Sequence, residues 1–126
     1  MNDYLIRAVS NDGSIRAFGC YSKTIADTAR QYHGTSPVAT AAIGRLLTAA
    51  SMMGAMLKGE DDLVTLQMTG SGPMGRVLAT GTPDGCVKGY VGQPLVDLRQ
   101  RGIVRISGYM ISLQVSLLSS HPRSQI

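Results

Sequence analysis

The longest apolar stretch of the chain runs from Val38 to Leu57 and predicts one long helix. Its residues are small or aliphatic on every side, and Arg45 is the single charge among them. A helix that is apolar all round either spans a membrane or is buried in protein. An arginine at the centre of a span costs roughly 3 kcal/mol, and the few strong apolar residues of this stretch do not offset that cost. We therefore predict a core helix.

Signals at both ends delimit this helix to about residues 37–58. Ser36 suits the N-cap and Pro37 the first helical position, whereas Gly59 suits a left-handed stop after Lys58. Small residues within the helix should let neighbouring backbone approach closely: Ala41, Ala42, Gly44, Ala49, Ala50 and Gly54. Such a helix fits between two layers of other structure.

Shorter patterns on both sides of the helix predict strands that could form those layers. Asp3–Ser10 and Ser14–Tyr21 have strand character and are joined by Asn11-Asp12-Gly13, which favours a tight hairpin turn. Lys23–Tyr32 has helical spacing, with Ser22 or Thr24 as cap, and predicts a short surface helix. Three further strands should form a meander: Leu63–Thr69, Arg76–Thr80 and Cys86–Val91. The prediction is an α+β fold, layered β/α/β, with the long helix between sheets.

Length and charge narrow the function classes. A chain of 126 residues suits one domain with one core. Residues 1–97 hold eight Lys or Arg and eight acids, whereas residues 98–126 hold four Arg and no acid. Those arginines alternate with apolar residues and have only Tyr109 for stacking, so we predict no nucleic-acid binding. The N-terminus has no signal or anchor pattern, which predicts a cytoplasmic protein without a membrane partner.

The candidate chemical groups are sparse, and we predict neither catalytic nor metal-binding residues. Cys20 and Cys86 lack CxxC spacing and are expected to be buried free thiols, with His33 and His121 not brought near them. The acidic run at residues 60–62 is interpreted as an exposed connection. The cluster Met52, Met53 and Met56 is interpreted as core filling, with an adaptable apolar surface as the alternative.

The Gly-rich stretch from Gly70 to Gly75 matches the G-x-G-x-x-G spacing of dinucleotide-binding turns. Such a turn must open a helix whose N-terminus faces the phosphate. Here the following residues have strand character, and Pro73 lacks an N–H donor. We interpret the stretch as a hairpin loop and keep a nucleotide-binding enzyme as the alternative.

Three blocks of this sequence resemble the N-terminal part of the redox-regulated 33 kDa chaperonin (heat shock protein 33) family. They are DYLIRAVSNDGSIRAF, RQYHGTSPVATAAIGRLLTAASMMGAMLKGEDDLVTLQMTGSGPMGRVLA and DGCVKGYVGQP. The resemblance covers Asp3 to about Asp97. It implies a bacterial cytoplasmic chaperone that holds unfolding proteins without ATP, and a domain whose buried helix lies between two sheet layers.

The resemblance also implies a C-terminal zinc module with cysteines in C-x-C and C-x-x-C spacing. Neither Cys20 nor Cys86 falls in such a motif, so no zinc ligand or redox cysteine is assigned to this chain and no cofactor is predicted. We divide the chain into a chaperonin-like substrate-binding domain at 1–97, incomplete relative to the family, and a basic, Ser-rich tail at 98–126. The tail is hypothesised to be truncated or read out of frame, which translating the gene in all three frames from Gln93 onward would test.

The tail can still form a strand, because Tyr109, Ile111, Leu113, Val115 and Leu117 alternate with other residues. Unpaired, it would leave an apolar sheet edge that favours a homodimer. The predicted function is an ATP-independent, non-enzymatic holdase for unfolded client proteins, with the client-binding residues unassigned. The alternatives are an inert truncated remnant and the nucleotide-binding enzyme.

Overall fold

A computed structural model of the chain describes residues 2–96 and 111–118. The elements are β1 (Tyr4–Val9), β2 (Arg16–Tyr21), α1 (Lys23–His33), α2 (Pro37–Ala55), β3 (Leu63–Gly70), β4 (Arg76–Gly81), β5 (Val87–Val91) and β6 (Ile111–Leu118). β1 and β2 form a two-stranded antiparallel sheet, and the second sheet has the order β5-β4-β3-β6. α2 contacts both sheets, which confirms the predicted α+β fold with a helix between sheet layers.

The start of α2 is confirmed, but its predicted end is wrong. The Ser36 side chain accepts a bond from the Ala39 N–H, and Pro37 opens the helix. At the other end, Met56 and Leu57 donate to carbonyls three residues back, so the last turn tightens at Ala55. Gly59 does not have a positive φ; its N–H donates to the Asp62 carboxylate at 2.9 Å. The apolar run therefore continues past the helix into a turn.

The core lies between α2 and the larger sheet. Ile43, Leu47 and Ala50 of α2 are buried in one cluster with Val64 and Leu66 of β3. By length and composition α2 would also reach across a membrane, and 50% of its apolar window is buried inside the protein. Its single charge, Arg45, lies on the exposed side.

Close backbone approach is confirmed at two of the small residues in α2. A Cβ added to Gly44 would lie 3.1 Å from the Ala26 Cβ, so α1 packs tightly there. A Cβ added to Gly54 would lie 2.5 Å from the Thr82 carbonyl oxygen at the end of β4. Ala41, by contrast, is exposed.

The methionine cluster is only partly core filling, because Met53 packs against the core whereas Met56 is exposed.

α1 lies on the surface, as predicted, but its cap comes from outside the helix. Ser22 occupies the N-cap position without a side-chain bond to the helix. Its hydroxyl instead bonds Thr48 of α2, whose own hydroxyl donates to the Gly44 carbonyl at 2.7 Å. Ser22 thus ties α1 to α2.

The predicted strands form with small shifts in their limits. The two hairpins and the meander are confirmed, and β3 pairs with β4 from Val64↔Gly81 to Thr69↔Arg76. The β1–β2 connection is longer than a two-residue turn, because the Ser10 N–H donates to the Ile15 carbonyl at 2.9 Å and Gly13 has φ 74° within the loop.

The strand predicted in the tail also forms. β6 pairs with the whole of β3, from Leu63↔Leu118 to Gly70↔Ile111, and makes one edge of the larger sheet. Residues 112–118 are all exposed, so this strand extends the sheet without burying its own side chains. Tyr109 and His121 lie outside the described residues.

Candidate functional site: an exposed apolar ribbon

The β1–β2 hairpin, here called the ribbon, has one face without any charge. Strand alternation and the register place Tyr4, Ile6 and Ala8 on that face, opposite Tyr21, Gly19 and Ala17. Ile6 is 54% exposed and Tyr4 48% exposed. An exposed apolar face of this kind is a candidate interaction surface.

The opposite face of the ribbon turns toward the protein near its base. Leu5 and Cys20 are half-buried there, and Leu5 lies beside the β4–β5 turn at Gly85. On the uncharged face, the rings of Tyr4 and Tyr21 stack across the two strands with centroids 5.6 Å apart and planes inclined by 13°. These contacts hold the base of the ribbon, while its tip extends into solvent.

A hydrogen-bonded loop closes the tip of the ribbon. Asp12 Oδ1 accepts bonds from the Ser10 hydroxyl at 2.6 Å, the Ser14 hydroxyl at 2.7 Å and the Ser14 N–H at 3.1 Å. These donors lower the pKa of Asp12 to about 2, chiefly through the two serine hydroxyls. Asp12 is therefore ionised at neutral pH and accepts these bonds as a carboxylate.

The ribbon is joined to α1 through Asp3, which precedes β1. Its two carboxylate oxygens accept the N–H groups of Thr24 at 2.8 Å and Ile25 at 2.7 Å. Partial burial acts to raise the pKa of Asp3, but the two backbone donors outweigh it and hold that pKa below its usual value. Asp3 therefore caps α1, which corrects the prediction of Ser22 or Thr24 as the cap.

Replacing Asp3 by alanine should destabilise the protein by about 1 kcal/mol, the usual cost of losing a helix cap. Chemical unfolding at pH 7 measures this change. Because the folded-state pKa of Asp3 is lowered, its contribution is fully present above pH ~4 and is lost as pH falls through the folded pKa. Wild type and Asp3→Ala should therefore converge in acid, and an equal difference at pH 7 and pH 2.5 would contradict the capping role.

A second apolar row lies on β6. Leu113, Val115 and Leu117 pair with Met68, Leu66 and Val64 of β3 and therefore share the helix-facing side of the sheet. Leu66 and Val64 are buried beneath α2, whereas the β6 side chains are exposed. The helix-facing surface of the sheet thus continues beyond the part that the helix covers.

The Gly-rich stretch is a hairpin loop, as interpreted from the sequence. It connects β3 to β4, and Gly75 has φ 68° with its N–H donating to the Gly72 carbonyl at 3.2 Å. Because β4 begins at Arg76, the residues after the loop offer no helix N-terminus to a phosphate. This geometry does not favour a dinucleotide site.

The two cysteines differ in environment, which corrects one expectation. Cys20 is half-buried and Cys86 is exposed, and both are free thiols. The Asp84 carboxylate beside Cys86 raises the pKa of this thiol by hydrogen bonding and charge. A raised pKa disfavours the thiolate that reacts with oxidants.

No metal-binding cluster of three or more His, Cys, Asp or Glu side chains occurs in residues 2–96 and 111–118. Within the acidic run, Glu60 and Asp61 are exposed, while Asp62 accepts the Gly59 N–H. The His, Cys, Asp and Glu side chains of these residues do not fit the cysteine zinc site that the family resemblance implies.

The sequence analysis assigns no residues to a client-binding surface, and the ribbon face is a candidate that it missed. The sequence signal for the ribbon face is YLIRAV in β1. A surface strand usually alternates apolar and polar residues, whereas this strand is apolar at every position except Arg7. The register of β1 with β2 determines the rest of this face, to which the second strand adds only Ala17, Gly19 and Tyr21.

The chain matches the family model described as Hsp33 protein over residues 3–119, a range that continues past Asp97 and includes β6. It is 55% identical over 98 residues to a 33 kDa chaperonin of Lachnoclostridium phytofermentans, covering 78% of this chain and 34% of that protein. A 33 kDa chaperonin of Clostridioides difficile is 47% identical over 98 residues, with the same coverage of 78% and 34%. The chain therefore spans about a third of the length of these curated relatives.

A solved structure shares the fold. The crystal structure of the 33 kDa chaperonin (heat shock protein 33 homolog) from Thermotoga maritima superposes with a TM-score of 0.73 at 26% identity, covering 90% of this chain and 44% of that one. With the family model matching most of the sequence, the two sheets and two helices described above identify the chain as a member of the Hsp33 chaperone family.

Proposed function

We propose that this chain binds unfolded polypeptides and keeps them from aggregating, without ATP, catalysis or a metal of its own. The observation that carries the proposal is the uncharged, exposed face of the ribbon in a member of a chaperone family. Unfolding proteins expose apolar side chains, and burying these against the ribbon is favourable by about 25 cal/mol per Å². Such contacts are not directional, so one surface serves many clients.

The apolar row on β6 extends the proposal to self-association. The β6 strand, ISLQVSLL, has no charge or proline and lies at a sheet edge, features that favour pairing with another copy. We propose that the chain forms homodimers, a state that sedimentation equilibrium measures. In a homodimer, the number of clients bound is calculated per protomer.

The chaperone proposal predicts that the chain lowers the light scattering of a chemically denatured client after dilution, with or without ATP. Replacing both Ile6 and Ala8 by lysine should weaken client binding roughly tenfold. The reason is that burial of one large aliphatic side chain is worth about 1.5–3 kcal/mol, and each 1.4 kcal/mol is a factor of ten in affinity. Titration of chaperone against a fixed client concentration measures the shift.

The matched control introduces the same charge elsewhere. Gln31 and Ala41 are exposed on the two helices, away from the ribbon, and the double variant Gln31→Lys, Ala41→Lys should behave as wild type. If wild type fails to suppress scattering at several-fold molar excess, both reduced and oxidised, the holdase proposal is wrong for this chain. A lack of cooperative melting in the same sample would then favour the inert remnant.

A further inference from the structure

A groove of about 560 Å³ lies between α1 and β5, and Asp3, which directly precedes the ribbon, lines one end of it. Its walls are mainly apolar, with Ile25 and Ala29 from α1, Leu47 from α2 and Val87 from β5. Tyr32, which is 83% exposed, stands at its rim. We call this the α1–β5 groove.

One side of the groove is the edge of a sheet. β5 is the outermost strand of the order β5-β4-β3-β6, and within residues 2–96 and 111–118 no strand pairs with its outer side. The backbone groups on that side are therefore available to an added strand. A groove between a helix and an open strand edge is the geometry of peptide binding by strand addition.

The hydrogen-bond pattern identifies which groups face outward. The Gly92 N–H donates to the Arg76 carbonyl at 2.7 Å, and the Thr82 N–H donates to the Cys86 carbonyl at 3.1 Å. Antiparallel pairs alternate between bonded and non-bonded residues, so Lys88 and Tyr90 are the bonded residues between these two points. Val87, Gly89 and Val91 consequently direct their N–H and C=O groups away from β4.

The charged groups around the groove leave its interior suited to an apolar chain. The Asp3 carboxylate, at one end, already accepts two N–H groups of α1. Lys88 alternates with the inward-facing residues of β5 and is exposed on the outer side of the sheet. No other acid lines the groove among the described residues, so an uncharged segment with acidic ends complements the cation Lys88 at its margin.

We propose that the α1–β5 groove binds an extended, apolar segment of an unfolded polypeptide as an additional antiparallel strand on β5. This inference rests on the proposed chaperone function and adds to the ribbon a second surface where a client binds, with the conformation that the client adopts there. The outward groups of Val87, Gly89 and Val91 bond the client backbone, which every sequence provides. Ile25 and Tyr32, above a floor of the buried Ala29 and Leu47, receive alternate client side chains, so binding selects extended apolar segments without selecting one sequence.

The test uses the full chain and a capped ten-residue peptide of alternating valine and threonine with glutamate at each end. Amide hydrogen exchange, read by NMR, should slow at Val87, Gly89 and Val91 when the peptide binds. Exchange at Lys88 and Tyr90, already bonded to β4, should change little. The same peptide with N-methylated amides at alternate positions should bind roughly tenfold more weakly, because it lacks the donors for strand pairing.

A pair of protein variants isolates the backbone contribution. Val87→Pro removes an outward N–H at the first residue of an edge strand, where proline is tolerated. Val87→Ala removes comparable side-chain volume and keeps the N–H. Peptide affinity should fall about fivefold to tenfold more in Val87→Pro than in Val87→Ala, since one backbone hydrogen bond is lost. Thermal melting of both variants verifies that each is folded.

The outcomes separate this inference from the function on which it rests. Suppression of client aggregation together with slowed exchange at the three outward amides supports both. If wild type suppresses aggregation but those amides are unaffected, or if exchange slows only at the ribbon, the groove assignment is wrong and the chaperone function stands. If neither aggregation nor the peptide responds, both are wrong. Slowed exchange that appears without peptide and rises with protein concentration would show that a second copy, not a client, occupies the groove.

Discussion

Replacing Gly81 by alanine should destabilise the protein by about 3 kcal/mol or more, at the upper end of the cost of overpacking a core. A Cβ at this position would lie 2.1 Å from the carbonyl oxygen of Ala50 and 2.8 Å from its carbonyl carbon. Both atoms belong to the backbone of α2, so relief requires the helix to move away from β4. Such a loss is a large part of the 5–15 kcal/mol that holds a typical domain folded.

Urea unfolding followed by circular dichroism measures this effect, and Gly19→Ala is its control. Gly19 also lies in a strand, but a Cβ added there would meet no atom within 4 Å. The control should therefore unfold within about 0.5 kcal/mol of wild type, as surface substitutions usually do. Equal stability of the two variants would contradict the close packing of α2 against β4.

The close packing of α2 against β4 links the two proposed binding surfaces. Gly54 of α2 approaches the Gly81–Thr82 backbone, and Ser51, one turn earlier, donates to the Gly85 carbonyl at 2.8 Å. Gly85 lies beside Leu5 at the base of the ribbon, while β5, which follows it, forms the wall of the α1–β5 groove. The position of α2 against β4 therefore sets the position of both surfaces.

The features predicted correctly from the sequence are those that depend on neighbouring residues. The start of α2 follows from Ser36 and Pro37, which act within one helical turn. The Gly70–Gly75 loop was separable from a nucleotide-binding turn because the next residues have strand character. The strand in the tail was visible from alternation alone, even though its partner was not.

The features that the sequence missed depend on contacts between distant segments. Asp3 caps α1 from more than 20 residues away, so no local pattern indicates it. The end of α2 at Ala55 precedes the glycine expected to stop it, because Gly59 is used instead in a turn with Asp62. The outer face of the ribbon and the open edge of β5 appear only when strand pairing is known, since register decides which side chains and backbone groups share a side.

Ile43→Ala should cost about 2–5 kcal/mol, the range measured when a large buried aliphatic side chain is truncated. Ile43 is fully buried in the middle of α2, and a Cβ added to Gly89 would lie 3.1 Å from its Cδ1. Together with Leu47 it therefore fills the space beneath β5, and Gly89 has no side chain that could fill the cavity left by truncation. Chemical unfolding measures the loss.

The matched control is Ile15→Ala, the same truncation at a residue that is 66% exposed in the ribbon loop. Its cost should stay within about 0.5 kcal/mol, because little apolar area is returned to water. Since Ile43 supports β5 from below, its loss should also accelerate exchange at Lys88 and Tyr90, whose amides are bonded to β4, whereas Ile15→Ala should leave them unchanged. A small effect of Ile43→Ala on stability and exchange alike would mean that β5 does not rest on α2, and the wall of the α1–β5 groove would then lack its support.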